Sequence, residues 1–191
     1  MGVSTIIYSI ITKEIIMKKS FIFALLTASS LMASNLVITT ASVKAHTEVF
    51  GDSTIDPVTT SLTSRLSMSA GIESIKGTVD VSIRLLKSDN ADRDEHMVEA
   101  IESNKYPLAT YSFKEVKKGA KGYNISGILD FHGVKKPLNI TADITDKDGK
   151  VSFKGKGSFK MSAYGVEPPK LLLLTVRDQV DLDIDVKFKK R

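Results

Sequence analysis

The stretch Tyr123–Ile144 decides the fold, and it reads YNISGILDFHGVKKPLNITADI. Apolar residues recur at alternate positions on both sides of a Gly-containing turn, and this period predicts a β-hairpin with one apolar face. Polar residues such as Asn124, Asp130 and Thr141 fill the positions between, so the other face meets water, as is typical of an antiparallel sheet. The apolar face comprises Tyr123, Ile125, Leu129, Phe131, Leu138, Ile140, Ala142 and Ile144.

The same period of two recurs along the rest of the chain. It predicts a strand from Gly77 to Leu85, another over Ala109–Phe113 with a bulge near Glu115, and a third after an Asp148–Gly149 turn. The final run is the clearest because its acidic and apolar residues alternate strictly. Its apolar members are Val180, Leu182, Ile184, Val186 and Phe188, and its acidic members are Asp181, Asp183 and Asp185.

Two glycines interrupt the apolar face of the run that begins at Val151. Gly155 and Gly157 occupy positions where a side chain would point into the core. The missing side chains leave room for sheet curvature, for close packing or for a ligand.

Residues 88–103 break the alternation and predict one short helix. Asn90 or Asp92 can cap it, and Met97, Ala100 and Ile101 follow at helical spacing. Six to eight strands remain, with no second helix to cover them. Strands with one apolar face bury those faces on each other, so the fold is predicted to be all-β, an antiparallel barrel or a sandwich. A closed barrel additionally removes exposed strand edges.

The N-terminus has the pattern of a secretory signal peptide. Lys18 and Lys19 precede the apolar run Phe21–Leu26, so we expect translation to start at Met17 and residues 1–16 to be an upstream extension. Small residues favour cleavage after Ala41 or Ala45. The alternative is an uncleaved transmembrane anchor, which the polar residues Ser29, Ser30, Ser34 and Asn35 disfavour. Residues 46–191 are then expected to form a single exported domain, periplasmic or secreted.

Composition excludes several classes of function. The chain has no cysteine, which excludes disulfides, thiol catalysis and lipoprotein attachment. Its net charge is +5, but residues 1–45 contain four lysines and one glutamate, which leaves about +2 for the exported part. No basic patch interleaved with aromatic residues is present, so nucleic-acid binding is not expected. The basic end Lys187–Arg191 is interpreted as a solvated tail or as a peripheral contact with an anionic membrane.

Catalytic chemistry has no motif in this sequence. The three histidines, His46, His96 and His132, lack metal-ligand spacing, and structural roles are predicted for them, with His132 bonding the backbone of its own turn. The three acidic residues of the last strand lie at period two and form its solvated face. Neither a nucleophilic serine motif nor a phosphate-cradling loop occurs. The protein is therefore not expected to be an enzyme or to need a cofactor or metal.

Two blocks of sequence resemble the signatures of the YceI-like family, the lipocalin-like proteins that bind polyisoprenoid lipids. The first runs from Arg93–Met97 to Lys105–Phe113, and the second is Gly127–Leu138. Weaker similarity extends to Met161–Gly165 and to the last strand. The resemblance implies a lipocalin-like antiparallel barrel of about eight strands whose apolar interior holds a long isoprenoid chain, and it also implies export.

Within such a barrel, the inward-facing side chains are the expected ligand contacts. Near the rim, Arg93 and His96 are expected to contact the polar head of the lipid. The expected contacts in the interior are Ile83, Leu85, Tyr111, Phe113, Ile125, Leu129, Phe131, Ile140, Phe153 and Phe159.

Other interpretations stay open. The inward side chains can simply fill a small barrel. Alternatively, the barrel can be the scaffold of a secreted structural or stress-related interaction protein, whose face of Lys154, Lys156 and Lys160 meets an acidic partner. The run Leu171–Leu174 is too short to span a membrane, and it can plug a barrel mouth, line a ligand entrance or begin a buried strand.

Overall fold

The computed structural model describes residues 32–49, 53–171 and 174–191. The expected start Met17 and the charged and apolar parts of the leader lie outside these residues, as do Leu172 and Leu173. Within the described ranges, no helix has the length and apolar character needed to cross a membrane.

Strands dominate the described chain, with one α-helix. In chain order the elements are β1 (Ser34–Val49), β2 (Ser53–Ile55), β3 (Val58–Thr59), β4 (Leu62–Met68), β5 (Lys76–Ser82), α1 (Ala91–Ala100), β6 (Leu108–Lys118), β7 (Tyr123–Phe131), β8 (Val134–Lys147), β9 (Lys150–Lys160), β10 (Lys170–Leu171), β11 (Leu174–Thr175) and β12 (Gln179–Lys190). Short 3-10 turns cover Ile72–Ser74, Ile83–Leu85 and Met161–Tyr164.

Eight of the strands close into an antiparallel barrel. The order is β12-β9-β8-β7-β6-β5-β4-β1, and β12 pairs with β1 to complete the ring. Each of these eight strands therefore has a paired neighbour on both sides, although β1 and β4 pair only over Ser34–Leu36 and Leu66–Met68. The predicted fold class is therefore confirmed, and the choice between barrel and sandwich is settled for the barrel. β2 and β3 add to β1, whereas β10 and β11 form a separate two-stranded sheet in which Leu171 pairs with Leu174.

The hairpin at Tyr123–Ile144 has the predicted register. Phe131 pairs with Val134 across a two-residue turn, in which His132 and Gly133 have φ angles of 53° and 75°. Positive φ at both central positions matches the right-handed twist of the flanking strands. Asp148 and Gly149 repeat this geometry between β8 and β9, with φ angles of 52° and 71°. Both predicted turns are confirmed.

The two ends of the barrel carry different connections. At one end, here called the base, the strands are joined by the short segments 69–75, 119–122 and 148–149. The other end carries α1, the short strands β2, β3, β10 and β11, and the β7–β8 turn, and it is here called the helical end. Both the first and the last barrel strand have their outer termini, Ser34 and Lys190, at the base.

Both ends of the described chain belong to the barrel wall. Ala41 and Ala45, the two expected cleavage positions, lie inside β1, where they pair with Val186 and Leu182. The barrel thus begins at Ser34, before the expected boundary at residue 46. At the other terminus, the interpretation of Lys187–Arg191 as a solvated tail is wrong, because β12 continues to Lys190.

The remaining local predictions hold with one exception at β5. The register shifts between Phe113 and Glu115, which is the predicted bulge. Helix α1 falls within the predicted segment, and the side chain of its N-cap residue Asn90 accepts a hydrogen bond from the Arg93 N–H at 2.9 Å. Strand β5, however, ends at Ser82, because Ile83–Leu85 turns into a 3-10 helix.

Candidate functional site

A cavity of about 510 Å³ occupies the interior of the barrel. This volume lies within the range of roughly 300–1,000 Å³ that is typical of ligand sites. Every one of the eight barrel strands contributes apolar side chains to its wall, because alternate residues of each strand point inward. Representative wall residues from the eight strands are Val43, Leu66, Val79, Ala109, Leu129, Leu138, Phe153 and Leu182.

The cavity meets solvent along α1. Among the wall residues in the described ranges, only Asn90, Asp92 and His96 are exposed, and the others are buried or half-buried. A residue that both lines a cavity and is exposed must stand where the cavity opens. These three residues are here called the mouth. Behind them, Met97 and Ile101 turn the apolar side of α1 to the interior.

Apart from Arg93 next to the mouth, the wall residues in the described part of the chain carry no charge beyond the mouth. The Tyr111 hydroxyl donates a hydrogen bond to the Leu138 carbonyl at 3.0 Å, and burial raises the pKa of this tyrosine, so it stays protonated. The Thr47 hydroxyl faces the carbonyls of Arg177 and Gln179 at 2.9 and 3.1 Å. Both hydroxyls are thus engaged by backbone. The wall is therefore suited to an apolar chain, and polar recognition is left to the mouth.

Arg93 lines the cavity next to the mouth and is half-buried. Its guanidinium Nη1 lies 3.1 Å from the Asp89 Oδ1, one turn back along the chain. The helix cap positions both residues, because Asn90 fixes the first turn from which Arg93 projects. The two residues expected at the rim, Arg93 and His96, are therefore brought together at the opening of the cavity.

Most of the residues expected to contact a chain in the interior do line the cavity. The exceptions are Ile125, which is buried in the core but does not line the cavity, and Leu85, whose side chain is 53% exposed. Leu85 points outward because the alternation of β5 stops at Ser82. The residues that line the cavity are Ile83, Tyr111, Phe113, Leu129, Phe131, Ile140, Phe153 and Phe159.

The glycines of β9 serve close packing, one of the three uses considered for them. A Cβ atom at Gly155 would lie 2.6 Å from Cε1 of Phe153, and one at Gly157 would lie 3.2 Å from the Asn139 carbonyl oxygen. Neither glycine lines the cavity. Neighbouring side-chain and backbone atoms occupy the space next to the two glycines, which leaves no room there for a ligand.

His132 connects three separate segments of the helical end. Its Nδ1 lies 3.1 Å from the Tyr164 carbonyl oxygen, and its Nε2 lies 2.7 Å from the Glu102 carboxylate. Its ring packs at a tilt against that of Tyr106, with the ring centroids 4.5 Å apart. The prediction that it bonds its own turn is wrong, although its role is structural as expected. Sequence carries no signal for these partners, which are about thirty residues away in either direction.

His46 forms a second polar cluster at the helical end. Its Nδ1 lies 2.5 Å from the Asp56 carboxylate, and its Nε2 lies 3.2 Å from that of Glu48. The hydrogen bond with Asp56 is the main cause that raises the pKa of His46. Asp56 stands between Ile55 and Pro57, which both line the cavity. This contact therefore fastens a segment of the cavity wall to β1.

The acidic residues of β12 form a solvated face, as predicted. Asp183 lies 3.4 Å from the Lys156 ammonium and Asp185 lies 3.6 Å from that of Lys154, each directly across the strand pair. These pairs reduce the net charge of the lysine face considered for an acidic partner. No group of three or more His, Asp or Glu residues with the arrangement of a metal site occurs in the described residues.

Comparison with known proteins agrees with this architecture. A family model described as YceI-like domain matches residues 29–188. The chain belongs to the YceI-like family. The matched range begins five residues before β1 and ends at Phe188, so it contains α1 and the whole barrel except the last two residues of β12.

Curated relatives from this family carry the name UPF0312. A UPF0312 protein of Pseudomonas putida is 31% identical over 133 residues, which cover 64% of this chain and 67% of the relative. One from Yersinia enterocolitica is 28% identical over 99 residues, covering 48% of this chain and 52% of the relative. The chain thus spans about half the length of the latter relative.

Solved structures share the fold at low sequence identity. BcnA of Burkholderia cenocepacia superposes with a TM-score of 0.68 at 14% identity, covering 77% of this chain and 95% of BcnA. A polyisoprenoid binding domain from Saccharophagus degradans, implicated in plant cell wall breakdown, gives 0.65 at 12% identity, with coverages of 83% and 99%. The YCEI protein of Campylobacter jejuni gives 0.56 at 24% identity, with coverages of 69% and 82%. These likenesses establish the YceI-like barrel of this chain.

Proposed function

We propose that this YceI-like protein is an exported lipid-binding protein that holds a polyisoprenoid, or a similar long amphiphilic chain, inside its barrel. One observation carries the proposal: a cavity of about 510 Å³ whose wall is apolar away from its polar mouth, where it opens to solvent. That combination suits a molecule with a long apolar chain and a polar end. The name of the Saccharophagus degradans domain, which is a polyisoprenoid binding domain, supports the same class of ligand.

The energetics favour a long chain over a short one. Each methylene transferred from water to an apolar wall contributes about 0.8 kcal/mol. Association costs on the order of 4–15 kcal/mol in lost freedom, so a short chain cannot offset it. The cavity of about 510 Å³ also supports this function over the interpretation in which side chains alone fill the barrel, because the wall residues leave space between them.

The test combines native mass spectrometry with a titration. Protein purified from its own envelope should retain a co-purifying lipid, and delipidated protein should bind an isoprenoid alcohol by calorimetry. Replacing Ala109, which lines the cavity, with Phe should reduce binding, whereas Ala120→Phe at the exposed 119–122 turn of the base should not. Absence of lipid and of titration heat, or equal binding by both variants, would contradict the proposal.

Export is the second part of the proposal, and it rests on the leader pattern. Cleavage after Ala41 or Ala45 would remove part of β1 and open the barrel at its pairing with β12. We therefore place the processing site before Ser34, in the small and apolar stretch that precedes the strand. The N-terminus of the exported protein, read by intact mass, should lie before residue 34. A mature chain that begins at His46, or one found only in the cytoplasm, would contradict this.

A further inference from the structure

We infer that the mouth selects lipids whose head group is uncharged or cationic and rejects those that end in a phosphate or a carboxylate. The inference rests on the proposed lipid-binding function and adds to it the chemical class of the ligand's polar end. It follows from the charges that surround the opening of the cavity and from how these charges are already paired.

Acidic residues concentrate at the mouth. The segment from Asp89 to Glu99, which contains the cap and most of α1, holds five carboxylates and a single guanidinium. The whole chain, in contrast, has a net charge of +5, and residues 46–191 have a net charge of about +2. The opening of the cavity is thus a negative region on a basic protein. A negative rim repels an approaching anion and attracts a cation, most strongly at low ionic strength.

Two cations near the mouth, Arg93 and Lys87, are already paired with carboxylates. Arg93, the only Lys or Arg among the cavity-lining residues in the described ranges, lies 3.1 Å from Asp89. Lys87 lies 3.9 Å from Asp94, and the latter also accepts a hydrogen bond from the Ser88 N–H at 2.8 Å. An anionic head group would therefore have to compete with Asp89 for the guanidinium.

The start of α1 does not offer an anion site either. The side chain of Asn90 caps the Arg93 N–H, and the first turn already contains the carboxylates of Asp92 and Asp94. These groups use the favourable end of the helix dipole that a phosphate would otherwise occupy.

An uncharged head group finds suitable partners at the same place. Asn90 and His96 are exposed at the mouth and carry both donor and acceptor atoms. A hydroxyl or amide can hydrogen-bond to them without disturbing the Arg93–Asp89 pair. An amine can do the same, and it also gains attraction from Asp92, which lines the opening.

The experiment compares one chain with three head groups. Delipidated protein is titrated with geranylgeraniol, the corresponding primary amine and the corresponding monophosphate, at 20 mM and at 500 mM salt. We expect the alcohol and the amine to bind at least tenfold more tightly than the phosphate at low salt, and the difference to shrink at high salt as the rim is screened. Equal affinities, or tighter binding of the phosphate, would overturn the inference while lipid binding stands. Failure of all three to bind would overturn the lipid function itself.

A charge-neutralising variant distinguishes the effect of the carboxylates around the mouth from binding of the chain by the apolar wall. In Asp92→Asn/Glu95→Gln, the ratio of phosphate affinity to alcohol affinity should rise about fivefold or more. The matched control is Glu73→Gln, which removes one carboxylate at the base and should leave the ratio unchanged. Because the ratio compares two ligands on the same protein, partial loss of fold affects both measurements alike. An unchanged ratio in the rim variant would contradict the inference.

Discussion

The base and the helical end of this barrel are built from the same eight strands but are finished differently. At the base, the connections are short and the inward side chains are nearly inaccessible: Leu36 is 2% exposed and Val151 is 1% exposed. At the helical end, long connections carry α1 and the mouth, and all three histidines of the chain lie at this end. Tight turns close the base, whereas the helical end is held by contacts between separate segments. Tyr164 and Val166 at the helical end are also only 2% exposed. We nevertheless expect the base to contribute most to stability and the helical end to admit the ligand.

The largest expected effect is a loss of stability at the base. Leu36→Ala removes a buried side chain from β1, where this strand meets β4, and enlarges the barrel cavity, whose wall Leu36 helps to form. We expect the free energy of unfolding to fall by about 2–5 kcal/mol, as in other large-to-small core substitutions. Urea denaturation followed by circular dichroism measures it. A loss below 1 kcal/mol would mean that the base is not the stable end.

The connections at the helical end provide the next test. His132→Asn keeps a residue that tolerates the positive φ of the turn, but its shorter side chain cannot reach both Glu102 and the Tyr164 carbonyl. We expect the free energy of unfolding to fall by roughly 1–2 kcal/mol, the scale of hydrogen bonds that include a charged partner. Glu102→Gln should lower the free energy of unfolding by less, because His132 keeps its contact with the Tyr164 carbonyl and the introduced glutamine amide can still hydrogen-bond to the ring. If His132→Asn is as stable as the parent protein, the contacts of His132 do not stabilise the helical end.

Sequence predicted the parts of the fold that depend on local period. The β7–β8 hairpin, the Asp148–Gly149 turn and the cap of α1 follow from residues within a few positions of each other, so each could be read directly. The start of β1 could not, because Ser34–Val49 becomes a strand through pairing with β12, at the far end of the chain.

The site was predictable in outline for the same reason. Alternation identified most of the cavity wall, including Phe131 and Phe153, because inward-facing positions of a barrel strand recur with period two. It failed at Leu85, where the strand ended earlier than the pattern did. The partners of His132 are set by how distant connections meet at the helical end, and no local pattern encodes that meeting.

Met97 tests whether the helical end serves ligand binding more than stability. It lies on α1, lines the cavity and is only half-buried. Met97→Ala should weaken binding of an isoprenoid alcohol about threefold to tenfold, since each lost methylene contact is worth about 0.8 kcal/mol. Its effect on the free energy of unfolding should stay near 1 kcal/mol or below, well short of Leu36→Ala. Calorimetric titration and urea denaturation of the two variants give the contrast. If both variants lose stability equally, the two ends do not differ as described.

The smallest expected effect concerns pH, and it too should be confined to the helical end, where the histidines lie. The hydrogen bond with Asp56 raises the pKa of His46 above its usual 6.5 in the folded state, and Glu48 acts in the same direction. Asp181, which pairs with His46 across β1 and β12, accepts a hydrogen bond from the Arg177 guanidinium. Because the pKa of His46 is higher in the folded than in the unfolded state, protonated His46 stabilises the fold fully below pH 6.5. This stabilisation is lost as pH rises through the pKa of the folded state.

The resulting change in the free energy of unfolding should be below about 1 kcal/mol, the scale of exposed ion pairs. Urea denaturation at pH 5.5–8.5 should show it in the parent, and both His46→Gln and Asp56→Asn should flatten it. A slope that survives in both variants would place the pH-sensitive group elsewhere.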